Sequence, residues 1–86
     1  MTSDNKRITK AQVRGAETLS DLCANGYRVR CRAMLLSGHV YILEHRKTRR
    51  VLRLVINRLA FSLWEKGKKL KGEAYVENGL PILADS

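Results

Sequence analysis

The sequence predicts a small α+β domain in the order helix, strand, strand, helix (α-β-β-α), followed by an extended acidic C-terminal arm. Three observations support this fold class. Apolar residues recur every three or four positions over residues 9–24, which is typical of an amphipathic helix. From Tyr27 the period changes to two, which is typical of paired strands. A helical period then returns over residues 49–66.

Length and composition bound the organisation of the chain. Its 86 residues make one domain near the lower size limit for a self-sufficient core, so self-association is a possible source of further stability. We expect a flexible N-terminus at residues 1–8, a single basic α+β domain at 9–72, and an acidic, apolar C-terminal arm at 73–86. No stretch resembles a membrane span or a secretory signal, so we expect a cytoplasmic protein.

The first predicted helix has recognisable ends. Thr9 and Gln12 form a capping box, in which the Thr side chain accepts a backbone hydrogen bond and the Gln side chain reaches back. The pair Asn25-Gly26 suits the left-handed conformation in which many helices end. Gly15 costs about 1 kcal/mol relative to Ala inside a helix, so we expect the first turn to be weak.

A β-hairpin is predicted next, with Ser37-Gly38 as its two-residue turn. This turn places Leu35 opposite Val40 and Ala33 opposite Ile42, all on the buried face. The outer face then carries Arg28, Arg30, Arg32, Tyr41 and His45. One pair conflicts with this register, because Glu44 falls opposite Cys31 on the buried face. Glu44 must therefore lie at an open edge, or the register is wrong.

Residues 49–66 are the hardest segment to assign. The positions that coincide on one arc of a helix are Leu52, Val55, Ile56, Leu59 and Leu63. The alternative is an antiparallel β-meander following the first helix, with strands at 51–56 and 60–64, a turn at Lys66-Gly67 and a strand at 70–76. We favour the helix because, in a strand, Arg53 would share a face with Val51 and Val55.

Positive charge is concentrated in one part of the chain. The formal net charge is +9, and residues 46–71 hold ten basic groups against the single acid Glu65. Residues 72–86 hold three acids and no base. A concentrated block creates a local field that a scattered excess would not, which indicates an acidic binding partner.

Arginine dominates the basic block, and its planar fork suits phosphate oxygens better than a lysine ammonium does. On the helix interpretation, Arg46, Arg50, Arg53 and Asn57 form one row, and Trp64 lies at the same angle further along. An aromatic side chain there can stack on a base or anchor a protein partner. The residues that we predict to bind nucleic acid or an acidic partner are Arg28, Arg30, Arg32, Arg46, Lys47, Arg49, Arg50, Arg53, Asn57 and Trp64.

Metal and catalytic chemistry have little support in the sequence. Cys23, Cys31, His39 and His45 are residue types that zinc prefers, but their spacings match no short chelating motif. We therefore predict no metal and no cofactor, with the cysteines as small buried side chains. The chain has no nucleophile elbow, phosphate loop or paired-acid motif, so we predict no enzymatic activity and no small-molecule substrate.

Two functions from different classes remain. The first is a non-enzymatic nucleic-acid-binding accessory protein that contacts the phosphates of DNA or RNA through its arginines. The alternative is a basic inhibitor or adaptor in the style of phage and mobile-element regulators. Such a protein would dock on an acidic surface of a host nucleic-acid-processing enzyme.

Overall fold

A computed structural model of the chain describes residues 8–35, 38–74, 76–77 and 80–81. One helix, α1, spans Lys10–Ala24. The strands that follow are β1 (Tyr27–Leu35), β2 (Gly38–His45), β3 (Val51–Ile56), β4 (Ala60–Glu65), β5 (Lys68–Ala74), β6 (Val76–Glu77) and β7 (Leu80–Pro81). Strands β1 to β5 form one antiparallel sheet in sequential order, and β6 pairs with β7.

The predicted α+β class is confirmed, but the predicted α-β-β-α order is wrong. Residues 49–66 form β3 and β4 instead of a second helix, as in the meander alternative. The extended acidic arm is not confirmed, because Glu73 and Ala74 belong to β5 and residues 76–77 pair with 80–81. Of the N-terminal residues 1–8 that were predicted to be flexible, residues 1–7 lie outside the described residues.

Helix α1 begins at the predicted capping box. The Thr9 backbone N–H donates to Gln12 Oε1 at 2.9 Å, and the Gln12 backbone N–H donates to Thr9 Oγ1 at 3.2 Å. These two bonds satisfy N–H groups that the first turn of a helix leaves unpaired. Asn25 is the C-cap residue that follows the helix, and Gly26 takes a φ of 99° that suits glycine.

Gly15 lies where α1 crosses β3. A Cβ atom at this position would lie 2.7–2.9 Å from three side-chain carbons of Ile56. Real Cβ contacts are essentially never so short. Helix α1 can therefore pack this closely against β3 because residue 15 has no side chain. Gly15 therefore has a packing role in addition to its cost in helix propensity.

The hydrophobic core lies between α1 and one face of the sheet, here called the helix-side face. Its buried members are Leu43, Leu52, Leu54, Ile56, Phe61 and Leu63. Leu19 and Leu22 of α1 pack against them together with Tyr27 and Tyr41. Each β3 and β4 member is separated from the next by one residue, so the strand period places all of them on the same side.

Pairing with β2 explains why residues 49–66 form strands. Leu52 lies opposite Leu43, and Leu54 lies opposite Tyr41, so β3 extends the apolar face that β2 begins. Val51, Arg53 and Val55 occupy the other side of the sheet, here called the open face. The mixed character of that face, which favoured a helix from the sequence alone, reflects a surface that α1 does not cover.

The predicted hairpin register is also wrong. Gly38 already belongs to β2, opposite Leu35, and Ala33 lies opposite Val40 where Ile42 was predicted. A Cβ atom at Gly38 would collide with the carbonyl oxygen of Ile56, so this glycine permits close strand contact. The predicted turn residue Ser37 lies outside the described residues.

A β-bulge at Arg30 divides β1 into two parts. Val29 pairs with Leu43 and Cys31 pairs with Ile42, so Arg30 has no cross-strand partner. The extra residue reverses the alternation of side chains along the strand. The residues of β1 that follow Arg30 therefore lie on the opposite face from the one that the sequence pattern predicts. Ala33 and Leu35, predicted to be buried, are exposed on the open face.

Further face assignments change in β2. Tyr41 and His45, predicted on the outer face, lie on the helix side, whereas Val40 and Ile42 lie half-buried on the open face. Glu44 is in an inner strand and not at an open edge, with only 8% of its surface exposed.

Within the described ranges, no helix is both long and apolar enough to cross a membrane.

Candidate nucleic-acid interface

One row of side chains crosses the open face through all five strands of the main sheet. Each member is the cross-strand partner of the next, and neighbouring strands lie about 4.8 Å apart. In strand order, the row consists of Cys31, Ile42, Arg53, Trp64 and Lys69. An apolar segment of the face therefore leads to a cation, an aromatic ring and a second cation.

Arg53 and Trp64 are in direct contact within this row. The guanidinium carbon of Arg53 lies 5.2 Å from the centroid of the Trp64 ring, within the range of a cation–π interaction. The indole N–H of Trp64 donates to Ser62 Oγ at 2.8 Å, which fixes the orientation of the ring. Arg53 is exposed and Trp64 is half-buried, so both can be reached from solvent.

Small and aliphatic side chains form the neighbouring row of the open face. Its members are Ala33, Val40, Val55, Ser62 and Gly72. A Cβ atom at Gly72 would lie 2.6 Å from Lys69 Cε, so the lysine chain runs over this glycine. Trp64 and Arg53 therefore stand beside a low, largely apolar floor.

Three arginines surround the one carboxylate of the open face among the described side chains. Glu44 Oε1 lies 2.9 Å from Arg30 Nη1, and Glu44 Oε2 lies 3.4 Å from Arg49 Nε. Arg28 is the direct cross-strand partner of Glu44. The carboxylate is largely covered, whereas the Arg30 and Arg49 side chains are 57% and 69% exposed. Three cations against one anion leave this end of the face positive.

Arg50 belongs to a different environment, on the helix side of the sheet. Its Nε and Nη2 atoms donate to the two oxygens of Glu65 at 2.9 and 2.8 Å. These hydrogen bonds hold the pKa of Glu65 below its ordinary value and raise that of Arg50 further. A bidentate pair of this kind occupies the planar fork of the arginine, so Arg50 is not available to a phosphate unless the pair opens.

The predicted helical row of Arg46, Arg50, Arg53 and Asn57 therefore does not exist. Asn57 is a turn residue: its Oδ1 accepts from the backbone N–H groups of Leu59 and Ala60 at 2.7 and 2.8 Å. These bonds close the connection between β3 and β4, which is a structural role.

The β2–β3 connection carries two more predicted residues, Arg46 and Lys47. The Arg46 backbone N–H donates to the Gly26 carbonyl at 2.9 Å, and the Lys47 N–H donates to His45 Nδ1 at 3.1 Å. Both side chains are exposed at the end of the sheet. Arg32 is exposed too, but it lies on the helix side, opposite Tyr41.

The structure thus brings together some predicted residues and separates others. Those on the open face are Arg28, Arg30, Arg49, Arg53 and Trp64. Lys69 joins them and was not predicted. The signal for it was in the meander alternative, because a two-residue turn at Lys66-Gly67 places Trp64 opposite residue 69.

The candidate zinc ligands do not converge among the described residues, which contain no group of three or more Cys, His, Asp or Glu suited to a metal ion. Both ring nitrogens of His45 are engaged, Nε2 with the Asn25 carbonyl at 2.9 Å and Nδ1 with backbone N–H groups. Cys23 and Cys31 are free thiols and are exposed, not buried as predicted.

No protein-family model, curated protein or solved structure matches this chain.

Proposed function

We propose that this protein is a non-enzymatic nucleic-acid-binding accessory protein whose open face contacts phosphates. One observation supports this most strongly. The open face carries five cations and Trp64, and Glu44 is the only carboxylate among its described side chains. The five are Arg28, Arg30, Arg49, Arg53 and Lys69.

The arrangement suits phosphate binding for electrostatic reasons. Arg30 and Arg49 are held by Glu44 but remain more than half exposed, so a phosphate can replace or share the carboxylate. Arg46 and Lys47 extend the positive surface beyond the end of β2. Each phosphate contact releases condensed counterions, so the affinity should fall steeply as salt is raised.

Fluorescence polarisation with labelled duplex DNA, single-stranded DNA and single-stranded RNA at about 50 mM salt tests this proposal. We expect binding to at least one of them, with an affinity that falls linearly on a double logarithmic plot against salt. Absence of binding to all three nucleic acids would contradict the proposal.

A matched pair of variants tests whether the open face is responsible. Arg28→Gln and Arg32→Gln remove the same charge from the same strand, but from opposite faces of the sheet. We expect Arg28→Gln to weaken binding and reduce the salt slope by about one, and Arg32→Gln to have a much smaller effect. Equal effects would indicate that total charge, and not this face, controls affinity.

Docking on an acidic protein surface is the second candidate function. Met34 and Leu35 favour it, because they are 72% and 53% exposed near the end of an outer strand. An outer strand can be extended by a strand of a partner protein, and exposed apolar side chains beside that edge would add contact area. A stoichiometric protein partner that survives nuclease treatment and moderate salt would favour this function. Trp64→Ala should then cost more affinity than any single Arg→Ala.

A further inference from the structure

We infer that the nucleic acid bound by the open face is a single strand, and that an unpaired base stacks on Arg53 and Trp64. This inference rests on the proposed function and specifies the class of nucleic acid. It depends on three features of the open face: its width, the position of its aromatic side chain, and the separation of apolar and charged groups.

The width of the sheet argues against readout of a duplex. Five strands separated by four spacings of about 4.8 Å make a surface roughly 19 Å wide. The major groove of B-DNA is only about 12 Å wide and admits an α-helix or a two-stranded ribbon. Trp64 lies on β4, between β3 and β5, so the neighbouring strands would hold its ring outside either groove of an undistorted duplex.

A single strand, in contrast, exposes both its bases and its phosphates to a flat surface. The floor beside Trp64 consists of Val40, Val55 and smaller side chains, which can contact the faces of bases. The arginines near Glu44 lie towards one end of this floor, and Lys69 lies at its β5 side. Charged groups beside an apolar floor suit a backbone that follows the rim while its bases lie inward.

Arg53 and Trp64 supply the stacking surface. Indole rings and guanidinium planes both stack on nucleobases, and such stacking accepts any base because every base has a π-face. The Ser62 hydrogen bond and the Arg53 contact fix the ring before any ligand arrives. A surface that is already ordered loses less side-chain entropy on binding.

The chain contains a single tryptophan, so its intrinsic fluorescence reports on this position alone. We would titrate the full-length protein with a deoxythymidine oligonucleotide of about twelve residues, and with a blunt duplex of the same length. We expect saturable quenching of Trp64 by the single strand, at the same midpoint as polarisation shows. The duplex should bind more weakly and leave the fluorescence nearly unchanged.

Variants at Trp64 separate stacking from charge. Trp64→Phe keeps an aromatic ring, whereas Trp64→Leu keeps only apolar volume, and thermal unfolding of both checks that they fold. By polarisation, we expect Trp64→Leu to lose about tenfold or more in affinity for the single strand and little for the duplex. Trp64→Phe should retain most of the affinity for the single strand.

The outcomes distinguish this inference from the proposed function. If the single strand and the duplex bind equally, Trp64 fluorescence does not change and Trp64→Leu is neutral, the inference is wrong and the proposed function stands. If poly-glutamate competes as well as the oligonucleotide, charge alone controls binding and the inference is also wrong. If no nucleic acid binds, both proposals are wrong.

Discussion

Arg53 and Trp64 face each other across β3 and β4, with the guanidinium carbon 5.2 Å from the centre of the indole ring. The contact joins a charge that can bind a phosphate to a ring that can stack on a base. It also holds the arginine side chain close to the sheet, whereas an unrestrained arginine would sample many positions. Both groups are therefore held where a single nucleotide could meet them together.

Substitutions of Arg53 should separate its charge from its planar shape. Arg53→Lys keeps the charge but loses the guanidinium plane, and Arg53→Gln loses both. We expect Arg53→Gln to cost about tenfold in single-strand affinity, equivalent to ~1.4 kcal/mol, and Arg53→Lys to lie between it and the unmodified protein. Polarisation measures both variants. If Arg53→Gln binds the single strand as tightly as the unmodified protein, this side chain does not contact the ligand.

Glu44→Gln should change stability and binding in opposite directions. The substitution leaves Arg30 and Arg49 without their carboxylate, and we expect a loss of about 1–2 kcal/mol in the free energy of unfolding. Two released guanidinium groups should bind nucleic acid more tightly at low salt. Urea unfolding and polarisation measure the two effects.

Glu17→Gln is the matched control for that experiment. It removes the same charge from an exposed site on α1, where Glu17 makes only a 4.0 Å contact with Arg14. We expect little change in either measurement. If Glu17→Gln tightens binding as much as Glu44→Gln does, the effect comes from net charge and not from the open face.

Gly15→Ala should destabilise the fold although alanine is the better helix former. The new methyl group would meet Ile56 at 2.7–2.9 Å, and overpacking of this kind costs about 1–3 kcal/mol. The helix-propensity gain of about 1 kcal/mol offsets part of that loss. Thermal unfolding checks the sign, with the exposed Ser20→Ala in the same helix as a control that should not destabilise. A more stable Gly15→Ala would show that α1 can move away from β3.

The Arg50–Glu65 pair should make stability depend on pH. The pKa of Glu65 is lowered from 4.5 in the folded protein, so its stabilising contribution is present above the unfolded pKa and is lost as pH falls through the folded pKa. The difference in unfolding free energy between the unmodified protein and Glu65→Gln should therefore shrink as pH falls from 7 to 3. Urea unfolding across this range measures this difference. If the difference stays constant with pH, the Arg50–Glu65 pair is not a source of pH-dependent stability.

The sequence predicted local features of this fold well. The capping box at Thr9 and Gln12 involves four consecutive residues, and the sequence alone therefore contains the information that defines it. Predicting that the β3–β4 segment forms strands required knowledge of the strand with which it pairs. Leu52, Ile56 and Leu63 fit one helical arc, and they fit one face of a meander as well. The choice depends on β2, which offers Tyr41 and Leu43 as cross-strand partners.

The candidate site was partly predictable for the same reason. Concentrated charge, and the placing of Arg53 and Trp64 on one surface, could be inferred from the sequence. The helix interpretation set these two residues about three turns apart, whereas the sheet brings them into contact. The division of Arg28, Arg30 and Arg32 between two faces could not be predicted, because it follows from the single-residue bulge at Arg30. No periodicity in the sequence marks that bulge, and one residue is enough to exchange the faces.

The outer positions of β1 and β5 have a consequence for how separate copies of the chain meet. A sheet can in principle grow sideways by adding a strand from another molecule to either outer strand. Here one outer strand carries Arg28, Arg30 and Arg32, and the other carries Lys68, Lys69 and Lys71. An edge-to-edge encounter through these charged parts of β1 and β5 would therefore oppose like charges, which disfavours aggregation through them.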